Sequence, residues 1–245
     1  MAKMKIEFLH HYHSQHGVPT RERLVAELPR YAPWLSRVSG LANLRNHSRL
    51  LKNIGHRVLG LSAKRQLPHW AAHPFSDTAS EVGENRNGEL VLFADTFNRY
   101  FDPDVLRAAV RVLIKAGYRV HLPGAQGGEV RPLCCGRTYL ASGMMQRAKD
   151  EAQRTLDALQ PYLEAGMPVV GLEPSCLFTF KDEFLSLLPG ETAARLAAQP
   201  RPAPPPPQAR GERGGGERTW GGGMGRTWRR GLDTWRGKST SLKSP

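Results

Sequence analysis

The spacing of the apolar residues in the middle of the chain constrains the fold more than any other sequence feature. Residues 90–95 form a short, continuous apolar run, which is typical of a strand buried on both faces. Residues 102–115 follow with helical spacing and acidic residues in the first turn, and Gly117 stands where a helix ends. Residues 118–122, Tyr-Arg-Val-His-Leu, are predicted to be the second strand. Strand, helix and strand with short joints predict a βαβ unit and therefore a parallel sheet.

The same alternation continues to residue 199. A helix is predicted over residues 143–165, a third strand over 167–172, and helices over 174–188 and 191–199. We therefore expect an α/β domain over residues 89–199, built as a parallel-sheet βαβ module.

A helical segment is predicted before this domain. Apolar residues at helical spacing indicate helices at residues 3–16, at 20–28 with Thr20 as cap, and at 35–61, with Pro29 and Pro33 breaking the chain. These helices form an expected connector region over residues 1–65. Residues 66–88 contain prolines and an Asn-Arg-Asn-Gly turn, which favours an irregular linker.

The composition changes abruptly at Pro200. Residues 200–245 contain ten Lys or Arg against three acidic residues, so the tail contributes +7 of the net charge of +13. They have many Pro and Gly but no Ile, Val, Phe or Tyr, and we expect them to be disordered. Arg and Gly interleaved with Trp could bind single-stranded nucleic acid non-specifically. We favour the alternative that the tail has no evolved role, and we expect no specific nucleic-acid partner.

The sequence predicts no membrane-spanning segment. No window approaches roughly 20 apolar residues, and the first residues lack the apolar run of a signal peptide. We expect a cytoplasmic protein, either soluble or peripheral to the inner membrane.

All three cysteines fall in two short motifs, Cys134-Cys135-Gly136 and Glu173-Pro-Ser-Cys176. A bond between adjacent cysteines is strained, and in a reducing compartment clustered thiols more often bind metal or perform redox chemistry. Each motif follows a predicted strand, and the carboxyl ends of parallel strands meet at one edge of a sheet. Cys176 also begins a predicted helix, which favours its thiolate. The plain alternative is three small buried hydrophobic residues.

Basic residues accompany these motifs. Arg131, Arg137 and Lys181 could offset thiolate charge, or could equally be solvated surface groups. The glycines of residues 123–128 favour a plain turn over a phosphate site, because no helix with the required context follows. His10, His13 and His16 have the spacing of metal ligands on a helix, but a solvated helix face is the preferred interpretation.

Together these segments resemble a known family. Residues 91–101, 131–138, 171–177 and 181–183 look like the cysteine-rich CCG domain of fused flavin and iron–sulfur oxidoreductases of the D-lactate, glycolate and D-2-hydroxyglutarate dehydrogenase type. The resemblance covers roughly residues 1–199. It implies an FAD domain that oxidises a 2-hydroxy acid, a ferredoxin-like segment with [4Fe-4S] clusters, and two cysteine-rich repeats. This chain has one repeat and no C-x-x-C-x-x-C-x-x-x-C-P run, so we expect an interior piece.

The resemblance implies electron transfer within a flavin-linked 2-hydroxy-acid dehydrogenase. Cys134, Cys135 and Cys176 would be ligands of an iron–sulfur cluster, FAD would lie in the missing part, and that part and the second repeat would be the partners. The chain departs from the broader pattern, because no cysteine precedes Cys134 and Thr179 stands where a last thiol would be. Three thiolates fall short of the usual four cluster ligands.

Two alternatives to this function remain open. One is a structural zinc site of three cysteines and a histidine such as His121. The other is a truncated gene product without activity of its own.

Overall fold

A four-stranded sheet lies at the centre of the computed structural model, which describes residues 2–76, 81–124 and 131–199. The strand order is β1-β3-β2-β4. β2 pairs in parallel with both β3 and β4, whereas β1 is antiparallel to β3. The strands are β1 (Glu81–Val82), β2 (Glu89–Phe93), β3 (Arg119–His121) and β4 (Val169–Gly171).

The predicted α/β class and parallel pairing are confirmed. β2 is buried from Leu90 onward, as its continuous apolar run predicts. In the sheet Leu90 lies beside Val120 of β3, and Val91 lies beside Val169 of β4. The prediction of a wholly irregular linker at residues 66–88 was wrong in one place, because β1 pairs there with the free edge of β3.

Helices cover both faces of the sheet, and a run of helices precedes it in the chain. They are α1 (Ala2–His16), α2 (Thr20–Ala26), α3 (Leu28–Arg37), α4 (Ser39–His47), α5 (Arg49–Leu59), α6 (Thr96–Phe101), α7 (Pro103–Lys115), α8 (Arg137–Ala141), α9 (Met145–Glu164), α10 (Pro174–Phe178), α11 (Phe184–Leu187) and α12 (Glu191–Ala197), with a π-helical segment (Thr179–Glu183) between α10 and α11.

Alternate residues of β2 point into two separate cores, as the period of a strand requires. Leu90 and Leu92 pack with Leu106 of α7 on one face. Val91 and Phe93 pack with Leu159 of α9 on the other face, together with α11 and α12. The sheet is therefore the middle layer between helices.

The helical region packs onto the α/β region, and residues 2–199 belong to one unit. Trp70 and Tyr100 join Ala32 of α3 in a third core. The side chain of Asn43 holds Trp70 by two hydrogen bonds to its backbone, of 2.8 and 2.9 Å. The non-helical segment 66–76 is pinned in turn to α6, since Ala71 N–H donates to the carbonyl of Tyr100.

Several local predictions in the helical region were wrong. Thr20 is the first residue of α2, and Pro19 occupies the cap position without a side-chain hydrogen bond. Pro29 and Pro33 do not break the chain, because α3 runs through both. Pro29 lies in the first turn, where no N–H is needed, and the burial of Ala32 stabilises the helix around Pro33.

The prediction of a solvated histidine face on α1 was also wrong in part. His13 is buried and its Nδ1 donates to the carbonyl of Ser142 at 3.0 Å. His10 Nδ1 donates to the carbonyl of Gly143 at 3.1 Å, whereas His16 bonds within α1. Two of the three histidines therefore attach α1 to the loop before α9.

Some predictions fall outside the described residues. These are the disorder and nucleic-acid hypotheses for residues 200–245 and most of the glycine turn at 123–128. In the described ranges, no helix has the length and apolar character needed to cross a membrane.

Candidate redox site

Cys135 and Cys176 meet in the folded chain although 41 positions separate them. Their Sγ atoms are 3.0 Å apart, and both side chains are buried. Cys135 lies in the segment that enters α8, and Cys176 lies in α10, directly after β4. The sheet brings the two segments together because α10 starts at the carboxyl end of β4. The predicted convergence of these two cysteines is therefore present in the structure.

Cys134 is held beside the pair by its backbone. Its carbonyl accepts a 2.8 Å hydrogen bond from Oγ1 of Thr155, a fully buried residue of α9. Gly136 then turns the chain with φ of 74°, and a Cβ there would lie 3.2 Å from the carbonyl oxygen of Ala148. The glycine of the Cys-Cys-Gly motif thus lets the cysteine segment approach α9 closely.

The segment around Cys176 is fixed by its own hydrogen bonds. Glu173 Oε1 accepts from the backbone N–H and the hydroxyl of Ser175, and so caps α10. Thr179 is fully buried and donates to the carbonyl of Ser175 at 2.8 Å. Thr179 therefore stabilises the turn that carries Cys176.

The three cysteines line a small cavity of about 20 Å³, roughly the space of one water molecule. Asp95 lines it too, but Asp95 accepts hydrogen bonds from Phe97 N–H, Asn98 N–H and the Asn98 amide. Its carboxylate caps α6 and is occupied by these contacts. Phe97 also lines the cavity and is 42% exposed, so it forms part of the cavity's outer wall.

Burial and thiol hydrogen bonding favour the protonated forms of Cys134 and Cys135 in the metal-free chain. The hydrogen bond to Cys135, followed by burial, raises the pKa of Cys134 well above its ordinary value. For Cys135, the hydrogen bond from Cys134 lowers the pKa, but the hydrogen bond to Cys176 and burial outweigh it, and the net pKa is well above ordinary.

Three buried or half-buried ion pairs flank the cysteines. Glu151 of α9 is only 3% exposed and pairs with both Arg131 and Arg154. Arg137, which lines the cavity, pairs with Glu183 at 2.6 Å. The arginines predicted to offset thiolate charge are therefore matched by carboxylates, and Lys181 is exposed to solvent.

Sequence reasoning missed Asp95, Glu151 and Thr155 as parts of this site. Asp95 carried a usable signal, because an Asp followed by Thr at the end of a buried strand is typical of a helix cap. Glu151 and Thr155 lie one helical turn apart on the face of α9 turned toward the cysteines, but their burial is set by tertiary packing.

The three thiols suit a thiophilic metal by their chemistry, but not by their arrangement. Within the described ranges, no group of three or more His, Cys, Asp or Glu is arranged to hold a metal ion. His121, the candidate fourth zinc ligand, instead contacts Glu89 Oε2 at 2.8 Å. The geometry gives no support to a zinc site with His121, and a complete centre requires a ligand from outside the described residues.

The chain is similar to part of several dehydrogenases. It is 26% identical over 196 residues to a D-2-hydroxyglutarate dehydrogenase of Escherichia coli (strain K12), covering 75% of this chain and 18% of that protein. A D-2-hydroxyglutarate dehydrogenase of Haemophilus influenzae is 24% identical over 200 residues, covering 77% of this chain and 19% of the relative. The chain thus spans less than a fifth of these relatives. The predicted similarity to D-2-hydroxyglutarate dehydrogenases is confirmed.

A shorter similarity links the chain to another oxidoreductase. A component of the fumarate reductase (CoM/CoB) of Methanothermobacter marburgensis is 31% identical over 81 residues, covering 33% of this chain and 15% of that protein. No family model matches the chain, and no solved structure is detectably similar.

Proposed function

We propose that this chain is an electron-transfer module of a 2-hydroxy-acid dehydrogenase of the D-2-hydroxyglutarate type, with its redox centre at Cys134, Cys135 and Cys176. The observation that carries the proposal is the 3.0 Å approach of Cys135 to Cys176 from two segments of the sheet edge. The similarity to D-2-hydroxyglutarate dehydrogenases over three quarters of the chain supports the class of reaction.

The three cysteines would hold an iron–sulfur cluster, with a fourth ligand from outside the described residues. Such a cluster supplies one-electron transfer when it is bound. The chain's own residues position the ligands: Thr155 fixes the backbone of Cys134, and Thr179 fixes the turn around Cys176. The buried side chains around the cysteines also exclude bulk water from the sulfur atoms.

The module has partners under this proposal. A flavin-containing dehydrogenase part, which would bind FAD and oxidise the hydroxy acid, and a second cysteine-rich repeat would complete the enzyme. The chain corresponds to 18% of the E. coli relative's length, which leaves room for both parts in a protein of that size.

A second candidate is a thiol carrier without a cluster, and the direct contact of Cys135 with Cys176 favours it. A two-electron acceptor such as an oxidised flavin would take up two electrons and two protons, so that both S–H bonds break and one bond forms between the sulfur atoms. A two-electron donor such as a dihydroflavin would reverse the reaction and restore both thiols. The sulfur atoms need to approach by only about 1 Å to reach bonding distance.

Anaerobic reconstitution with iron and sulfide tests the proposal. We expect the full chain to bind iron and sulfide, with visible absorbance and an EPR signal after reduction. Cys135→Ser and Cys176→Ser should lose most of the bound iron, whereas the matched variant Ser175→Ala, in the same cavity wall, should retain it.

The same preparation separates the two candidates. An iron-free protein in which mass spectrometry finds a Cys135–Cys176 disulfide after mild oxidation would select the thiol carrier. A colourless protein without that disulfide would reject both forms of the redox site.

A further inference from the structure

The helices α3, α4 and α5 belong to a segment of one charge sign. Residues 28–76 contain no Asp or Glu at all. They contain eight Lys or Arg: Arg30, Arg37, Arg45, Arg49, Lys52, Arg57, Lys64 and Arg65. This charge is separate from the basic tail: six of the eight cations lie on α3, α4 and α5, and Lys64 and Arg65 follow α5.

The same three helices expose large apolar side chains to solvent. Trp34 of α3 is 69% exposed and Leu41 of α4 is 73% exposed. On α5, Leu50, Ile54 and Val58 follow one another at a spacing of four, and Leu50 and Val58 are about 70% exposed. No residue of α5 is fully buried. We call the exposed side chains of α3, α4 and α5 the basic helical face.

These apolar residues point away from the protein core. In α3 the buried Ala32 and Ser36 face the core of Trp70 and Tyr100, so Trp34 lies on the opposite side of the helix. The guanidinium of Arg37 lies 4.7 Å from the centre of the Trp34 ring. An aromatic and a cationic side chain therefore lie side by side on the solvent side of α3.

We propose that the basic helical face binds an anionic lipid surface. Helices that lie at a membrane interface combine exposed Trp and Leu with Lys and Arg on one surface, so that apolar groups enter the acyl boundary while cations meet the headgroups. A nucleic acid would match the charge but leave the aliphatic side chains of Leu50, Ile54 and Val58 without a partner. A second copy of this chain would bring like charges together.

This face is distinct from the surface around the cysteines. Helix α6 separates the two, because Phe97 at its start lines the cysteine cavity while Tyr100 and Phe101 at its end pack beside α3. Lipid binding through the far side of α3 therefore leaves the cysteine cavity outside the contact. The proposal does not depend on which redox centre the cysteines form.

Vesicle co-sedimentation with the full chain tests this proposal. We expect binding to vesicles of phosphatidylglycerol and phosphatidylcholine, and little binding to pure phosphatidylcholine. The triple variant Leu50→Ser, Ile54→Ser, Val58→Ser should lower the partition coefficient by about tenfold or more, because it removes the inserting side chains. The variant Arg49→Gln, Lys52→Gln, Arg57→Gln should lower it and weaken its dependence on salt.

Two controls separate this face from other parts of the chain. Val105→Ser with Val112→Ser removes exposed apolar residues of α7 and should leave binding unchanged. In a tail variant, glutamine replaces Arg229, Arg230, Lys238 and Lys243, which lowers the net charge of residues 200–245 from +7 to +3. The lipid proposal is wrong if only the tail variant lowers binding, or if the folded wild-type chain does not bind anionic vesicles. In either case a protein partner becomes the alternative ligand of the basic helical face. Circular dichroism of each variant confirms that the helices remain formed.

Discussion

At the scale of single residues, the cysteines combine reactive chemistry with an environment that suppresses it. Buried thiols with raised pKa values stay neutral near pH 7, and a neutral thiol is a weak nucleophile and a weak metal ligand. Ligation of a metal would therefore release protons from Cys134 and Cys135, and metal uptake should become stronger as the pH rises.

Alkylation of the metal-free chain tests the protonated state of these thiols. At pH 7.5 we expect Cys134 and Cys135 to react with iodoacetamide at least about tenfold more slowly than a peptide cysteine, since each pKa unit removes a factor of ten in thiolate. The rate should rise with pH beyond the ordinary thiol range. Cys134 and Cys135 share one tryptic peptide, so quantitative tandem mass spectrometry of its fragments gives the rate for each site.

Urea provides the control for this measurement, because the unfolded chain should react at the ordinary rate. Above the ordinary thiol pKa the unfolded chain loses these protons, whereas the folded chain keeps them. The free energy of unfolding should therefore fall as the pH rises through this range. Full-rate modification of the folded chain at pH 7.5 would contradict the raised pKa values.

The residues of the site were predictable from sequence to different degrees. The cysteines stood out because the chain has only three and because each motif follows a strand. Glu151 did not stand out, because a Glu on an amphipathic helix normally faces water. Its burial depends on Arg131, twenty positions earlier, which no local pattern indicates.

At the scale of elements, α6 links the cysteine cavity to the helical region. Asp95 is 1% exposed and accepts three hydrogen bonds at the start of this six-residue helix. So short a helix depends on its cap and on tertiary packing, because helix nucleation is unfavourable.

We expect Asp95→Ala to lower the free energy of unfolding by about 2 kcal/mol, the upper end for loss of a helix cap. Urea denaturation measures this loss. The matched variant Ser48→Ala removes the cap of α5, where one hydrogen bond of 3.3 Å reaches Leu51 N–H, and should cost about 1 kcal/mol or less. Equal losses in the two variants would show that Asp95 acts only as a local cap.

Long periodic elements were predictable, and short ones were not. The spacing of apolar residues predicted β2, α7 and α9 nearly at their observed positions. Helices α6 and α8, of six and five residues, were missed because they are too short to show a period. Strand β1 was missed because two residues form a strand only where β3 offers unpaired backbone groups.

At the scale of the whole molecule, α1 is attached to the α/β region by a few specific contacts. His10 and His13 bond to the loop before α9, and Lys3 pairs with Asp182 at 3.0 Å on the surface. Gly143 in that loop touches the backbone of α1 directly. A Cβ at Gly143 would lie 2.6 Å from His10 N and 2.7 Å from the Leu9 carbonyl carbon.

Gly143→Ala should therefore loosen the attachment of α1. Both Gly143 and Gly17 have a left-handed backbone, with φ of 67° and 78°, so alanine is strained at either position. Only Gly143 has neighbours within contact distance, since a Cβ at Gly17 meets no atom within 4 Å. Gly17→Ala should cost about 1 kcal/mol, and Gly143→Ala about 2–4 kcal/mol, because overpacking adds to the strain.

Hydrogen exchange distinguishes detachment of α1 from general destabilisation. In Gly143→Ala the amides of residues 6–16 should exchange faster while those of β2 and α9 keep their protection, because the added Cβ clashes with Leu9 and His10 of α1. In Gly17→Ala the exchange of residues 6–12 should remain close to wild type. Equal exchange of α1 in the two variants would mean that the close backbone approach at Gly143 does not hold the helix in place.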